Sequence, residues 1–134
     1  VREIKFRAWH KKEKKMYQVD DIMWNPQQRI WLNLKEDEND KGESINDVEL
    51  MQYTGLKDVG GTEIYEGDVV EGIGGEHILG TSKFNVFGIV EFLSGSFILN
   101  EILNKSASSL QQLNLIMDLT VIGNIYENPE LLGD

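Results

Sequence analysis

Glu63–Val70 reads EIYEGDVV, and Asn124–Pro129 reads NIYENP. Each copy of Ile-Tyr-Glu is followed by residues that turn a chain, Gly67-Asp68 in the first and Asn128-Pro129 in the second. In both, isoleucine and glutamate fall on one side of an expected strand and tyrosine on the other. Gly67 stands at a bend between two strand patterns, EIYEG and DVVEGI, where glycine can adopt backbone angles that a Cβ would penalise. The repeat therefore reads as two strands of one sheet, each ending in a corner, and it sets the expectation of an all-β fold.

Upstream of this stretch, Asp58-Val59-Gly60-Gly61 has the composition of a tight turn. Downstream, the apolar runs VFGIVEFL and SFIL flank Ser94-Gly95, which predicts a hairpin. TVIGNIYEN predicts a final strand closed by Asn128-Pro129. Ser106–Leu115 is the one candidate helix, with serine caps available and Leu110, Leu113 and Met117 at helical spacing. Strands at short intervals, glycine at the corners and one short helical segment suggest a small, partly open barrel over residues 53–134. Residues 1–52 read as a separate β-meander module. In EIKFRAW, Ile4, Phe6 and Ala8 share one face while Lys5, Arg7 and Trp9 share the other. Met16–Val19 returns as its hairpin partner, RIWLNL adds a third strand, and Val48–Tyr53 resumes an extended pattern after the charged loop from Lys35 to Asn46. Neither module alone can bury a large core, so the two are expected to depend on each other.

The chain has 134 residues, 40% hydrophobic and 27% charged, which suits a folded protein. It contains no cysteine, which excludes disulfides and thiolate metal sites. No apolar run is long enough to span a bilayer and no signal-peptide pattern opens the sequence, so a cytoplasmic location without membrane contact is expected. The net charge of −10 is unevenly spread. Residues 1–52 hold 10 Lys or Arg against 11 Asp or Glu, whereas residues 53–134 hold 3 against 12. The second segment repels polyanions, so duplex DNA is not an expected partner of the whole chain. Only the basic N-terminal strand offers a nucleic-acid contact, through Lys5, Arg7 and a base stacked on Trp9.

MQYTGLKD with EIYEGDVV, the opening REIKFRAW and the ending VIGNIYENPELL resemble the YopX-like family of phage and prophage proteins. The three strings occur in the same order and cover both ends and the middle of the chain. The resemblance implies a two-part β protein whose C-terminal part is an SH3-like barrel, encoded by a bacteriophage or prophage and acting in a bacterial host cell. It implies no catalytic residue. Val59-Gly60-Gly61-Thr62 departs from a more polar turn in the family pattern, and the acidic loop from Glu36 to Asp40 departs from it as well.

Enzyme signatures are weak throughout. Gly72-Ile73-Gly74-Gly75-Glu76-His77 begins like a dinucleotide fingerprint, but His77 replaces its last glycine and no helix pattern follows. With His10 and His77 as the sole histidines, zinc would need carboxylates from scattered loops, so no metal site and no cofactor are expected. Asp37–Gly42 superficially matches a calcium loop, yet Lys41 occupies a ligand position and Val48 cannot close the site. No enzyme activity is expected. The reading that remains is a module that binds a protein partner, with self-association compatible as well. Tyr53, Tyr65 and Tyr126 could line an aromatic groove beside Glu66 and Asp68. The rival readings are nucleic-acid binding through Lys5, Arg7 and Trp9, and an acidic surface that mimics DNA phosphates toward a host DNA-binding protein.

Overall fold

A computed structural model describes residues 2–27, 29–36, 42–74, 84–102 and 110–133. Gly75, Glu76 and His77 of the glycine-rich stretch, residues 37–41 of the charged loop, and residues 106–109 of the expected helix lie outside the described residues. The described chain is all-β. Two compact units divide it, Val1–Tyr53 and Thr54–Asp134.

Unit 1 is an antiparallel meander. Strand β1 (Phe6–His10) pairs with β2 (Lys15–Trp24), β2 with β3 (Ile30–Leu34), and β3 with the short β4 (Glu43–Ser44). On its other side β1 pairs with the first part of β5 (Val48–Lys57). The period-two pattern works as the sequence suggests, because Ala8 of β1 is fully buried with Tyr17, Leu32, Leu34 and Val48 in one cluster. Ile4 is not part of that core; it is 63% exposed and precedes the strand.

The second part of β5 lies in unit 2 beside β6 (Glu63–Tyr65). The main sheet of unit 2 has the order β10-β9-β8-β7-β11, formed by β7 (Asp68–Gly74), β8 (Phe84–Leu93), β9 (Ser96–Glu101), β10 (Leu110–Gln112) and β11 (Met117–Asn124). Its core gathers Ile64, Val70, Val86, Val90, Leu99, Leu113, Ile116 and Leu119. The β8–β9 hairpin turns at Ser94-Gly95 as expected. Both residues have positive φ, 51° and 83°, the geometry that lets a two-residue turn follow the twist of its strands. Phe92 and Phe97 face each other across it in an edge contact at 5.1 Å.

The helix expected over Ser106–Leu115 is corrected where it is described. Leu110–Gln112 is strand β10, paired with β9, and Leu113–Leu115 is a single 3-10 turn. Leu110 and Met117 are 54% and 37% exposed, so the apolar spacing did not mark a buried helical face. Leu113 and Ile116 are instead buried from a tight turn, which also places apolar residues three apart.

Candidate functional site

The two Ile-Tyr-Glu copies meet in space. Asn124, at the end of β11, is in register with Asp68 at the start of β7, and the Ile125 N–H donates to the Gly67 carbonyl at 2.9 Å. The Gly67 N–H in turn donates to the Val90 carbonyl at 2.8 Å, so this one buried residue ties the corner to β8 as well as to the C-terminal turn. Gly67 has φ +84°, the left-handed region that favours glycine. One Asp68 carboxylate oxygen accepts the Tyr65 N–H at 2.8 Å, closing the turn from within.

The second copy differs from the expected strand. Only Asn124 belongs to β11, and Ile125–Glu127 form a turn. The Asn124 Oδ1 accepts the N–H groups of Tyr126 at 3.0 Å and Glu127 at 2.8 Å, while its Nδ2 donates to the Glu127 carboxylate. Asn128 Oδ1 accepts the Asn124 N–H, and the Asn128 N–H donates to the Asn124 carbonyl. Two asparagines thereby draw the backbone away from a strand ladder.

These bonds decide what the partner-binding candidates can offer. Tyr53 and Tyr65 are buried at 5% and 3% exposure, and Asp68 at 2%. Tyr53 belongs to unit 1 and Tyr65 to unit 2. Glu66 and Tyr126 are half-buried on the two turns. The rings of Tyr53 and Tyr65 thus serve packing, and the Asp68 carboxylate serves the corner.

Asp58, which sequence reasoning treated only as a turn residue, is a second organising carboxylate. Its Oδ1 accepts the N–H groups of Gly60 at 2.8 Å and Thr62 at 2.9 Å, and its Oδ2 accepts the Val121 N–H at 3.0 Å from β11. The Val121 N–H, followed by that of Thr62, holds the Asp58 carboxyl below its ordinary value of 3.8.

On the β11–β7–β8 part of the sheet, Glu71, Ile73, Asn85, Phe87, Asp118 and Thr120 line an open recess of about 330 Å³. Asp118 has φ +53° beside an irregularity in the β11–β7 register. Its carboxylate and that of Glu71 make the recess anionic, and the Ile73 and Phe87 side chains give it apolar walls. Such a lining suits a long basic side chain, whose stem is apolar and whose tip is cationic.

In unit 1, the nucleic-acid candidates are largely engaged. Lys5 pairs with Glu3 at 3.1 Å and lies over the Tyr53 ring at 5.7 Å, while Arg7 and Trp9 are half-buried on β1. The same unit assembles a group that sequence reasoning left apart. His10 Nε2 stands 3.2 Å from Glu13 Oε2 and 3.3 Å from Glu43 Oε2. The other Glu13 oxygen accepts the Tyr17 hydroxyl at 2.7 Å, and the ring of Tyr17 meets His10 edge-on. The His10-x-x-Glu13 spacing in a polar connection was a usable signal; the approach of Glu43, brought by β4, was not.

Among the described residues, no helix is long and apolar enough to cross a membrane. The solved structure of protein EF1440 from Enterococcus faecalis is similar, with a TM-score of 0.61 and 29% identity over 98% of this chain and 99% of that one. The X-ray structure of YopX from Bacillus subtilis aligns with a TM-score of 0.57 and 19% identity over 100% of this chain and 98% of that one, a likeness of fold alone. No curated protein matches. The family model described as YopX protein matches residues 5–133, in keeping with the strings at both ends of the chain, and the chain belongs to the YopX protein family.

Proposed function

We propose that this protein is a non-enzymatic interaction module that binds a protein partner through unit 2. The observation that carries the reading is the anionic recess of Glu71 and Asp118, set in a unit that holds 3 Lys or Arg against 12 Asp or Glu. That field attracts a basic protein surface and opposes phosphate approach. Exposed apolar side chains in the same unit, among them Phe92 at 51% and Leu115 at 65%, add area that a protein surface could cover. In this reading unit 2 is an SH3-like module of a phage or prophage protein, acting on a host or phage protein in the bacterial cytoplasm. Contact passes through the sheet recess and the turn residues Glu66 and Tyr126, since Tyr53, Tyr65 and Asp68 are occupied inside the fold.

The test is affinity capture from host lysate with wild type and with the double variant Glu71→Lys, Asp118→Lys. Proteins of basic surface are expected to be retained by wild type and lost from the double variant, with the variant still folded by circular dichroism. Equal retention by the two proteins would exclude the recess as the contact. Retention that free DNA displaces would favour a DNA mimic instead.

A further inference from the structure

We infer that His10, Glu13 and Glu43 form a binding site for a divalent transition-metal ion of the zinc type. The three side chains offer one nitrogen and two oxygens that all lie within 4.8 Å of one another. They face an open recess of about 720 Å³ also lined by Lys11, Lys12, Asn46 and Asp47. Two ligands bonded to tetrahedral zinc at about 2.0–2.1 Å stand roughly 3.3–3.4 Å apart. The distances from Nε2 to the two carboxylates, 3.2 and 3.3 Å, are close to that edge. They are longer than the roughly 2.7–2.9 Å of a strong charge-assisted N–H···O bond. A fourth position can be taken by water from the recess, as in open zinc sites.

The support around these ligands fits the same purpose. His10 is 5% exposed, so its ring is held in place by packing. The Tyr17 hydroxyl occupies Glu13 Oε1 and leaves Oε2 to face the imidazole. The Glu13 side chain is 42% exposed against 12% for Glu43, so Glu13 is the carboxylate that borders solvent and Glu43 the one packed inside. Lys11, the nearest cation in sequence, is directed to the Asn46 carbonyl at 3.1 Å and to Glu49 at 3.5 Å. Imidazole with carboxylate favours zinc-like ions over magnesium or calcium, which prefer all-oxygen shells.

Proton placement sets the cost. His10 Nδ1 accepts the Glu13 N–H at 3.1 Å, which puts the ring proton of the neutral imidazole on Nε2. An ion bound at Nε2 moves that proton to Nδ1, and the Glu13 N–H must find another acceptor. The exposed turn Lys11–Lys14 carries this adjustment. Affinity is consequently expected to be moderate, below that of a site whose second ring nitrogen already donates.

Titration of the full chain with zinc chloride by isothermal calorimetry, in a buffer that does not chelate, tests the site. One ion per chain is expected to bind at Nε2, with the His10 ring-nitrogen resonances shifting in nitrogen-15 spectra. Glu43→Gln keeps the shape of the side chain and is expected to weaken binding at least tenfold, and His10→Ala to abolish it. Magnesium chloride is expected to bind far more weakly. Absence of zinc binding would show that the two carboxylates share only the Nε2 proton, and would overturn the inference. So would binding that survives His10→Ala and disappears in His77→Ala.

Discussion

Gly67→Val is expected to lower stability by about 3 kcal/mol, a fall of roughly 10 °C in melting temperature for a domain of this size. The backbone there has φ +84°, which a β-branched residue adopts only with strain, and the position is buried, where added side-chain volume is costly in general. Two hydrogen bonds pass through the same residue, its N–H to Val90 and its carbonyl from Ile125, so a shift of the corner weakens the links to β8 and to the C-terminal turn together. Gly67→Ala adds only one carbon and keeps the strain, so a smaller loss is expected. Thermal melting followed by circular dichroism measures both. A valine variant that melts with wild type would show an ordinary backbone at this corner.

The second large effect concerns Asp58. Asp58→Ala removes the acceptors of three backbone N–H groups, those of Gly60, Thr62 and Val121, and a loss of about 2 kcal/mol is expected after allowing for water at a half-exposed turn. Asp58→Asn keeps one amide oxygen and should fall between. The contribution also depends on pH. The carboxyl titrates lower in the folded chain than its ordinary 3.8, so its stabilisation is fully present above that value and is lost as pH falls through the folded pKa. Urea unfolding of wild type and Asp58→Ala should therefore differ at pH 7 and converge in acid below 3.8. A gap that stays constant from neutral pH into acid would mean that the charge of Asp58 contributes nothing.

Local features of this fold were legible in the sequence. The alternation in EIKFRAW put Ala8 in the core, Ser94-Gly95 gave a hairpin, and Gly67 stood at a true corner. Those readings depend on chain neighbours alone. The candidate helix failed because Leu113 and Ile116 point inward from a 3-10 turn, whose spacing imitates one turn of α-helix. The second Ile-Tyr-Glu failed as a strand because Asn124 and Asn128 offer the backbone side-chain partners that a ladder would otherwise supply. Tyr65 and Asp68 looked available for binding because sequence does not show that one is packed away and the other bonds the turn. Pairs far apart in the chain stayed hidden: Asp58 with Val121, and His10 with Glu43, are joined by sheet topology and by no local pattern.

The central proposal, that the acidic unit 2 addresses a basic protein surface and that the protein has no appreciable affinity for duplex DNA, is tested most directly by fluorescence anisotropy of a labelled DNA duplex at physiological salt. No change in anisotropy is expected with wild type, because the charge balance of −9 after Gln52 opposes the phosphates and Lys5 is already engaged by Glu3 and Tyr53. Duplex binding that weakens steeply with added salt and is abolished by Lys5→Ala with Arg7→Ala would contradict the claim and place the function on β1.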